Sequence, residues 1–182
     1  KTWAATGGEV VGNGTSPKPD ICYGNGGNVY TVLRDSLRAG SVQLRLKQST
    51  DRGETWLGSK QIMALIVPVY DPVIGAKHSG NTVWIVHTRD LEAYNGTGTA
   101  VCYFYSTDNG DTWTNGSFLG GVNTDNNEKM PSIACKWNDG APTVCYAVVP
   151  SESLMFTWCE NDTNWSTPEK VNDTRHTGDF PP

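Results

Sequence analysis

Two Arg-Asp pairs are the residues of this chain whose chemistry could most directly hold a ligand. Arg34-Asp35 and Arg89-Asp90 each end an apolar, β-branched segment, and the second pair follows the first at one repeat's distance. A guanidinium donates several hydrogen bonds in a fixed fork and a carboxylate accepts them, so such pairs could form a polar, ligand-binding rim. The alternative is that each pair is a local ion pair or a set of solvated loop charges.

Other reactive side chains lack a pattern that would make them a site. His87 lies in a β-branched segment and is expected to pack, whereas His176, near the end of the chain, is expected to be solvated. No Ser/His/Asp arrangement has motif support. The five cysteines show no zinc-site spacing, so neither a metal nor another cofactor is expected.

Three of the cysteines could share one sheet. Cys145 and Cys159 flank a turn near Pro150, and a hairpin symmetric about that turn would place them nearly opposite each other, within disulfide reach. By the same reasoning Cys135 would lie on the other side of Cys145. The alternative is that these thiols are small, buried apolar groups.

An internal repeat decides the architecture. The octapeptide Ser49–Trp56 recurs as Ser106–Trp113, with six of eight positions identical. A third, eroded copy ends at Trp165, and Trp3 lies where a still earlier copy would end. A period of about 50 to 60 residues is typical of arrays of small repeated sheets.

Each Trp of the repeat precedes a proline by nearly the same interval. The four pairs are Trp3 and Pro19, Trp56 and Pro72, Trp113 and Pro131, and Trp165 and Pro181. After each of the first three prolines come a short apolar segment, a Gly/Asn turn, a β-branched and aromatic segment, a variable loop, a third segment and then the octapeptide or its eroded copy, and this order predicts a four-stranded meander. The first strands of these meanders are expected at Ile21–Tyr23, Val73–Lys77 and Ile133–Lys136.

The predicted fold class is therefore all-β, a β-propeller of four-stranded antiparallel blades with about three blades present. The predicted units are the outer strand of a preceding blade and then three blades, at residues 1–18, 19–71, 72–130 and 131–180. Three blades leave sheet faces open, so either a longer chain or a homodimer is expected to complete the ring.

The two octapeptides resemble the Asp box of the bacterial neuraminidase repeat family, which includes sialidases, other glycoside hydrolases, lectins and sorting receptors. In such a turn Asp accepts backbone N–H groups, Gly supplies a positive φ and Trp packs between sheets. Structural roles are expected for Ser49, Asp51, Gly53, Trp56, Ser106, Asp108, Gly110 and Trp113. The resemblance covers the whole chain and implies a six-bladed ring, of which this chain would hold half.

The resemblance to sialidases gives Arg34 and Asp71 specific roles. In that family an Arg at the position of Arg34 helps to clamp the substrate carboxylate, and an Asp beside a blade-opening proline, as in Asp71-Pro72, contacts the sugar. However, Pro17-Lys18-Pro19 stands where the family has Arg-Ile-Pro, and no Asp follows Arg34 at the acid/base position. The isolated chain is therefore expected to lack a complete catalytic set.

The candidate binding residues are expected on one face of the array. Alternate connections of a meander share a face, so the loops after the second strands lie with the blade-to-blade connections, opposite the Asp boxes. The candidates on that face are Arg34, Asp35, Asp71, Arg89, Asp90 and Arg175, and no catalytic residue is assigned. Arg38, Glu92, Tyr94, Glu128, Lys129, His176 and Asp179 are expected on the same face.

Composition and charge limit the partners. A net charge of −5 without a long run of one sign argues against nucleic acid, and no apolar stretch is long enough to cross a membrane. A glycan is the expected partner, and the resemblance implies an acidic sugar. Six Asn-x-Ser/Thr sequons favour a secreted or extracytoplasmic protein.

Two functions remain open from the sequence. The first is a sialidase-like glycoside hydrolase, or a portion of one, of exo-sialidase type and acting on extracellular glycans. The second is a non-catalytic Asp-box propeller that binds a glycan or a protein, since the same fold supports both functions.

Overall fold

The computed structural model describes residues 18–38, 41–65, 69–91, 98–114, 117–119, 127–137, 140–161 and 164–171. Twelve strands lie in this described part of the chain. They are β1 (Asp20–Tyr23), β2 (Val29–Arg38), β3 (Ser41–Ser49), β4 (Lys60–Leu65), β5 (Val69–Ala76), β6 (Val83–Asp90), β7 (Thr99–Ser106), β8 (Ser117–Phe118), β9 (Asn127–Cys135), β10 (Pro142–Val149), β11 (Ser153–Trp158) and β12 (Glu169–Lys170).

The strands form three antiparallel sheets of four, and each sheet is a meander in chain order. We call them blade one (β1–β4), blade two (β5–β8) and blade three (β9–β12). The predicted all-β class with four-stranded antiparallel sheets is confirmed. The helix found among the described residues is a single 3-10 turn at Asn25–Gly27, so none of these residues lies in a helix that could cross a membrane.

The first strands of blades two and three begin earlier than predicted. They start at Val69 and Asn127 and run through Pro72 and Pro131. Both strands are sheet edges, where a proline removes no ladder hydrogen bond if its nitrogen faces the open side. The pairing register shifts beside each proline, so the chain passes through it with a β-bulge.

Blade two is buried on both faces. Residues along β6 alternate between two apolar clusters, with Val83 and Ile85 packed towards blade one and Trp84 and Val86 packed towards blade three. A strand that is covered on both faces has apolar residues at consecutive positions, and the segment Val83–Val86 has this pattern. The core therefore consists of two layers, with blade two between its neighbours.

The predicted cysteine cluster of blade three is wrong. Cys145 pairs with Phe156 on one side and with Ser132 on the other, whereas Cys135 pairs with Pro142. Cys159 lies beyond the end of β11 and forms an isolated antiparallel β-bridge, through its backbone, with Trp165. Cys145 therefore has neither Cys135 nor Cys159 as a cross-strand neighbour, and none of the three forms a disulfide among the described residues.

The two octapeptides fold into the same hydrogen-bonded turn after the third strand of blades one and two. The Ser49 hydroxyl accepts from the Gly53 N–H at 2.8 Å, and the Asp51 carboxylate accepts from the Thr55 N–H at 2.8 Å and from its hydroxyl at 2.5 Å. The second turn repeats these bonds through Ser106 and Asp108 with the same distances. Gly53 and Gly110 have φ angles of 87° and 85°, which only glycine adopts without strain.

These turns predict an acid-sensitive component of stability. Hydrogen bonds from Thr55 and Thr112 lower the pKa of Asp51 and Asp108 to about 2, from an ordinary value of 3.8. As the pH falls, the unfolded carboxyls take up protons first, so the contribution of these two carboxylates to stability should be fully present above about pH 4 and lost between about pH 4 and pH 2. Urea unfolding at several pH values should show this loss.

The double variant Asp51→Asn, Asp108→Asn should have a flatter profile over that window. Glu169→Gln removes an exposed carboxylate of β12 and should keep the wild-type profile. An unchanged slope in the double variant would mean that the turns do not carry the acid sensitivity.

Candidate functional site

A cleft of about 400 Å³ opens at the end of the blades that lies opposite the octapeptide turns. It is bounded by the start of β5, the end of β6, the start of β7 and the start of β9. The residues that line it are Lys18, Tyr70, Asp71, Thr88, Asp90, Gly98, Thr99, Asn127 and Lys129. Strand ends from two blades therefore surround one polar hollow.

The residue before each blade-opening proline lies at or beside this cleft. These residues are Lys18, Asp71 and Met130, and the Lys18 ammonium donates a hydrogen bond to the Asp71 carboxylate. Asp71 and Met130 have φ of 49° and 55°, a left-handed conformation that is costly for a residue with a side chain. Such strain persists where surrounding structure imposes it, and it is concentrated at functional sites.

The bulges in β5 and β9 explain how Asp71 and Met130 leave the regular alternation of their strands. An extra residue at a bulge turns its side chain away from the regular alternation of the strand. Met130 is consequently 70% exposed although it lies within β9. The bulge in β5 likewise turns the Asp71 side chain towards Lys18.

Arg34 supports the wall of the cleft. Its guanidinium carbon lies 5.0 Å from the centre of the Tyr70 ring, which is a cation–π arrangement, and Tyr70 lines the cleft. The Arg34 Nε is buried without a hydrogen-bond partner among the described residues. Arg34 therefore packs against the ring of a residue that lines the cleft.

The Arg-Asp pairs are separated by the alternation of the strand. Thr88 and Asp90 line the cleft, so Arg89 between them points to the other face of β6. On that face the Arg89 charge lies near the Cys102 thiol, and burial raises the pKa of this thiol to about 12. Asp35 is 2% exposed and pairs across strands with Arg45 at 3.4 Å.

Of the predicted binding residues, the structure thus places Asp71 and Asp90 in the wall of the cleft and Arg34 against the ring of Tyr70, which also lines it. Asp35 and Arg89 are directed into the sheets. Arg175 lies outside the described residues, as do Glu92, Tyr94, His176 and Asp179 and the side chain of Arg38.

Several buried polar atoms of blades one and two have no hydrogen-bond partner in the part of the chain that the structure describes. They are Arg34 Nε, Asp35 Oδ1, Gln43 Oε1, His87 Nε2 and Thr88 Oγ1. Native structures leave few such groups, and each calls for a water, a ligand or a functional reason. They lie in β2, β3 and β6, and of the five residues only Thr88 lines the cleft.

His87 is one of these groups and does not reach the cleft. It is 1% exposed, and its ring lies 5.2 Å from that of Phe104 in a stacked arrangement. Burial lowers its pKa to about 4, so the imidazole is neutral at pH 7. It is a packed histidine of the interior.

The sequence-based set of binding residues omits Lys18, Tyr70, Thr99 and Asn127, all of which line the cleft. A usable signal existed for the first two, because each lies next to or near a blade-opening proline. No such signal marks Thr99 or Asn127. Within the described ranges, no group of three or more His, Cys, Asp or Glu side chains is arranged to hold a metal ion.

No protein-family model and no curated protein sequence matches this chain. Among solved structures, the Hadza microbial sialidase Hz136 superposes with a TM-score of 0.63 at 14% identity over 81% of this chain. The chain has a sialidase-type propeller fold. About three four-stranded blades of that fold are present, as the sequence predicts, and the match spans 36% of the Hadza sialidase.

Two further sialidase structures are similar to this fold. The K499G mutant of NanB sialidase from Streptococcus pneumoniae gives a TM-score of 0.50 at 15% identity, over 75% of this chain and 20% of its own. The intramolecular trans-sialidase from Ruminococcus gnavus, in complex with oseltamivir carboxylate, gives a TM-score of 0.51 at 17% identity, over 73% of this chain and 27% of its own. Identities this low relate the folds of the proteins and do not by themselves relate their activities.

Proposed function

We propose that this chain is the glycan-binding portion of a sialidase-like glycoside hydrolase that acts on extracellular glycans. The observation that carries the proposal is the cleft at the blade-opening ends, where Asp71 is held in a strained conformation beside Lys18 and Tyr70. Structural strain at a polar cleft is a feature of functional sites. The similarity of the fold to three sialidase structures supports the same proposal.

The chemistry of the cleft suits a polyhydroxylated ligand. The carboxylates of Asp71 and Asp90 can accept hydrogen bonds from sugar hydroxyls, and the amide of Asn127 and the ammonium of Lys129 can donate them. The Tyr70 ring, supported by Arg34, offers an aromatic surface of the kind on which the C–H groups of a sugar pack. In this proposal the residues bind and orient the sugar.

Cleavage needs groups that the described cleft does not assemble. A glycosidase places an acid and a nucleophile or base on either side of the scissile bond. The Asp71 carboxylate is already engaged by the Lys18 ammonium. We therefore expect the remaining catalytic groups to come from further blades, supplied by a longer chain or by a second copy.

The second candidate is a non-catalytic propeller that binds a glycan without cleaving it. The Lys18–Asp71 ion pair favours this alternative, because it leaves a binding surface with one carboxylate neutralised. Turnover separates the two functions, whereas binding is common to both.

Arg34→Ala tests the proposed site. Loss of the guanidinium removes the support of the Tyr70 ring, so glycan binding should weaken about three- to tenfold, the equivalent of one partly desolvated cation–π contact. Binding can be measured on a glycan array and then by calorimetry with the best array ligand. Lys170→Ala removes an exposed cation of β12 and should leave binding unchanged.

Activity should be assayed in parallel with fluorogenic sialosides and other glycosides. The isolated chain should bind without turnover. Turnover by this chain would show that its own residues complete a catalytic set, and absence of glycan binding would refute the proposed function.

A further inference from the structure

We infer that a second site, for an uncharged sugar, lies at the end of the blades that carries the octapeptide turns, away from the cleft. It is a hollow of about 450 Å³ between β1, β5 and β9, the first strands of the three blades, and we call it the inner-strand hollow. The choice of a sugar as its ligand rests on the proposed function, whereas the hollow itself is separate from the cleft.

The position of the inner-strand hollow makes it independent of the cleft. Two of its lining residues, His78 and Trp137, follow β5 and β9 in the hairpins that lead to the second strands. The first of these hairpins is bonded to an octapeptide turn, because the Asn109 N–H donates to the Asn81 carbonyl at 2.8 Å. Among the described residues, none lines both the hollow and the cleft, so the two sites can be occupied at the same time.

The rim of the hollow carries apolar side chains that are unusually exposed. Ile21, Tyr23 and Trp137 are 62%, 52% and 74% exposed, and all three line the hollow. The Trp137 indole stacks on the His78 ring with 3.7 Å between the ring centres, so one indole face is supported and the other is open to solvent. Exposed apolar groups that gather around one concavity mark an interaction site.

The floor of the hollow is closely packed and uncharged. At Gly75 of β5, an added Cβ would lie 3.0 Å from the Cys135 sulfur and 3.1 Å from Ile133, so a larger residue there would press on β9. Burial raises the pKa of the Cys135 thiol to about 12 and raises that of Cys22 as well, so both thiols are protonated at pH 7. A ligand in the hollow therefore meets a preformed apolar floor.

The charges of the lining decide which kind of sugar fits. Asp20 is the single acidic residue among the described lining residues, and this lining contains neither lysine nor arginine. The Asp20 carboxylate accepts a hydrogen bond from the Ile74 N–H at 2.8 Å. An anionic sugar would lose water from its charged group and find no cation in this lining to compensate for the loss. The hollow therefore favours an uncharged sugar.

An uncharged pyranose matches the groups that the hollow presents. The C–H groups of such a ring pack on an aromatic face, and the Tyr23 hydroxyl and the Trp137 N–H can hydrogen-bond to its hydroxyls. In a glycan whose terminal sugar is acidic, the inner sugars are commonly uncharged, so the two sites need not compete for one sugar. On a surface that carries many glycans, two sites at opposite ends of the blades raise the overall strength of binding.

Trp137→Ala tests the site, with Trp137→Phe as its conservative variant. Calorimetry should use the uncharged oligosaccharide that binds best on an array of such sugars. Trp137→Ala should weaken its binding about five- to tenfold, the equivalent of one aromatic contact, and Trp137→Phe, which keeps an aromatic face, less than about threefold. Phe118→Ala removes an exposed aromatic side chain that lines neither site, and it should bind as the wild type does.

Competition with a sialylated oligosaccharide separates this inference from the proposed function. A sialylated ligand in the cleft should leave the affinity for the uncharged ligand unchanged. Displacement of one ligand by the other, or equal affinities of the wild type and Trp137→Ala, would overturn the inference and leave the proposed function standing. So would binding of sialylated ligands alone. Self-association that Trp137→Ala abolishes, without binding of uncharged sugars, would assign the hollow to a second copy. Binding of no glycan at all would overturn both.

Discussion

Replacing Trp84 with alanine should lower the free energy of unfolding by about 3 to 5 kcal/mol. The indole has no exposed surface and packs between blades two and three against Val86, Val101 and Val144. Because β6 is covered on both faces, the surrounding strands cannot collapse into the space that the indole leaves. The expected cost therefore lies near the upper end for a buried aromatic residue.

Urea unfolding followed by circular dichroism measures this cost. Trp137→Ala is the matched control, because Trp137 is 74% exposed and stacks on the surface ring of His78. It should lower stability by less than about 1 kcal/mol. Similar losses in the two variants would contradict the placement of Trp84 between two blades.

Acidification should destabilise the fold through one buried histidine. The pKa of His87 falls from 6.5 to about 4 because burial disfavours the imidazolium, with the nearby Arg89 charge acting in the same direction. As the pH falls below 6.5, His87 binds a proton in the unfolded chain but stays neutral in the folded chain. Stability is therefore fully present above about pH 6.5 and should fall by about 3 kcal/mol by about pH 4.

His87→Gln should remove this dependence, since the amide stays neutral throughout the window. Unfolding free energies at about pH 7, 5.5 and 4 would give the slope for each protein. His78→Gln, at an exposed position, should retain the wild-type slope. A wild-type slope in His87→Gln would place the titrating group elsewhere.

The repeated sheets could be predicted because the repeat includes a short motif that is recognisable in the sequence. A turn with a fixed Asp, Gly and Trp returns in the second blade, and a proline follows each Trp at nearly constant distance. The cysteine pairing could not be predicted in the same way. The last pair of the β10–β11 hairpin joins Val148 to Ser153, so the turn is centred earlier than a Cys145–Cys159 pairing requires, and Cys145 faces Phe156 instead.

The site was predictable only in part, for a related reason. Proximity in sequence suggests that Arg34 and Asp35 act together, yet successive residues of a strand face opposite sides and the two side chains have different neighbours. Asp71 reaches the cleft because of a β-bulge, which the regular alternation of side chains along a strand does not predict. The approach of Lys18 to Asp71 joins residues far apart in sequence and depends on how the blades stack.

The burial of blade two on both faces has a consequence for how the array comes apart. In a linear array, stability is a sum of the repeats themselves and of the interfaces between neighbours. Within the described residues, blade two contributes to two such interfaces, while blades one and three each contribute to one. Local opening should therefore begin at the outer blades and reach β6 last, so that amide protons of Val83–Val86 exchange only when the whole unit unfolds.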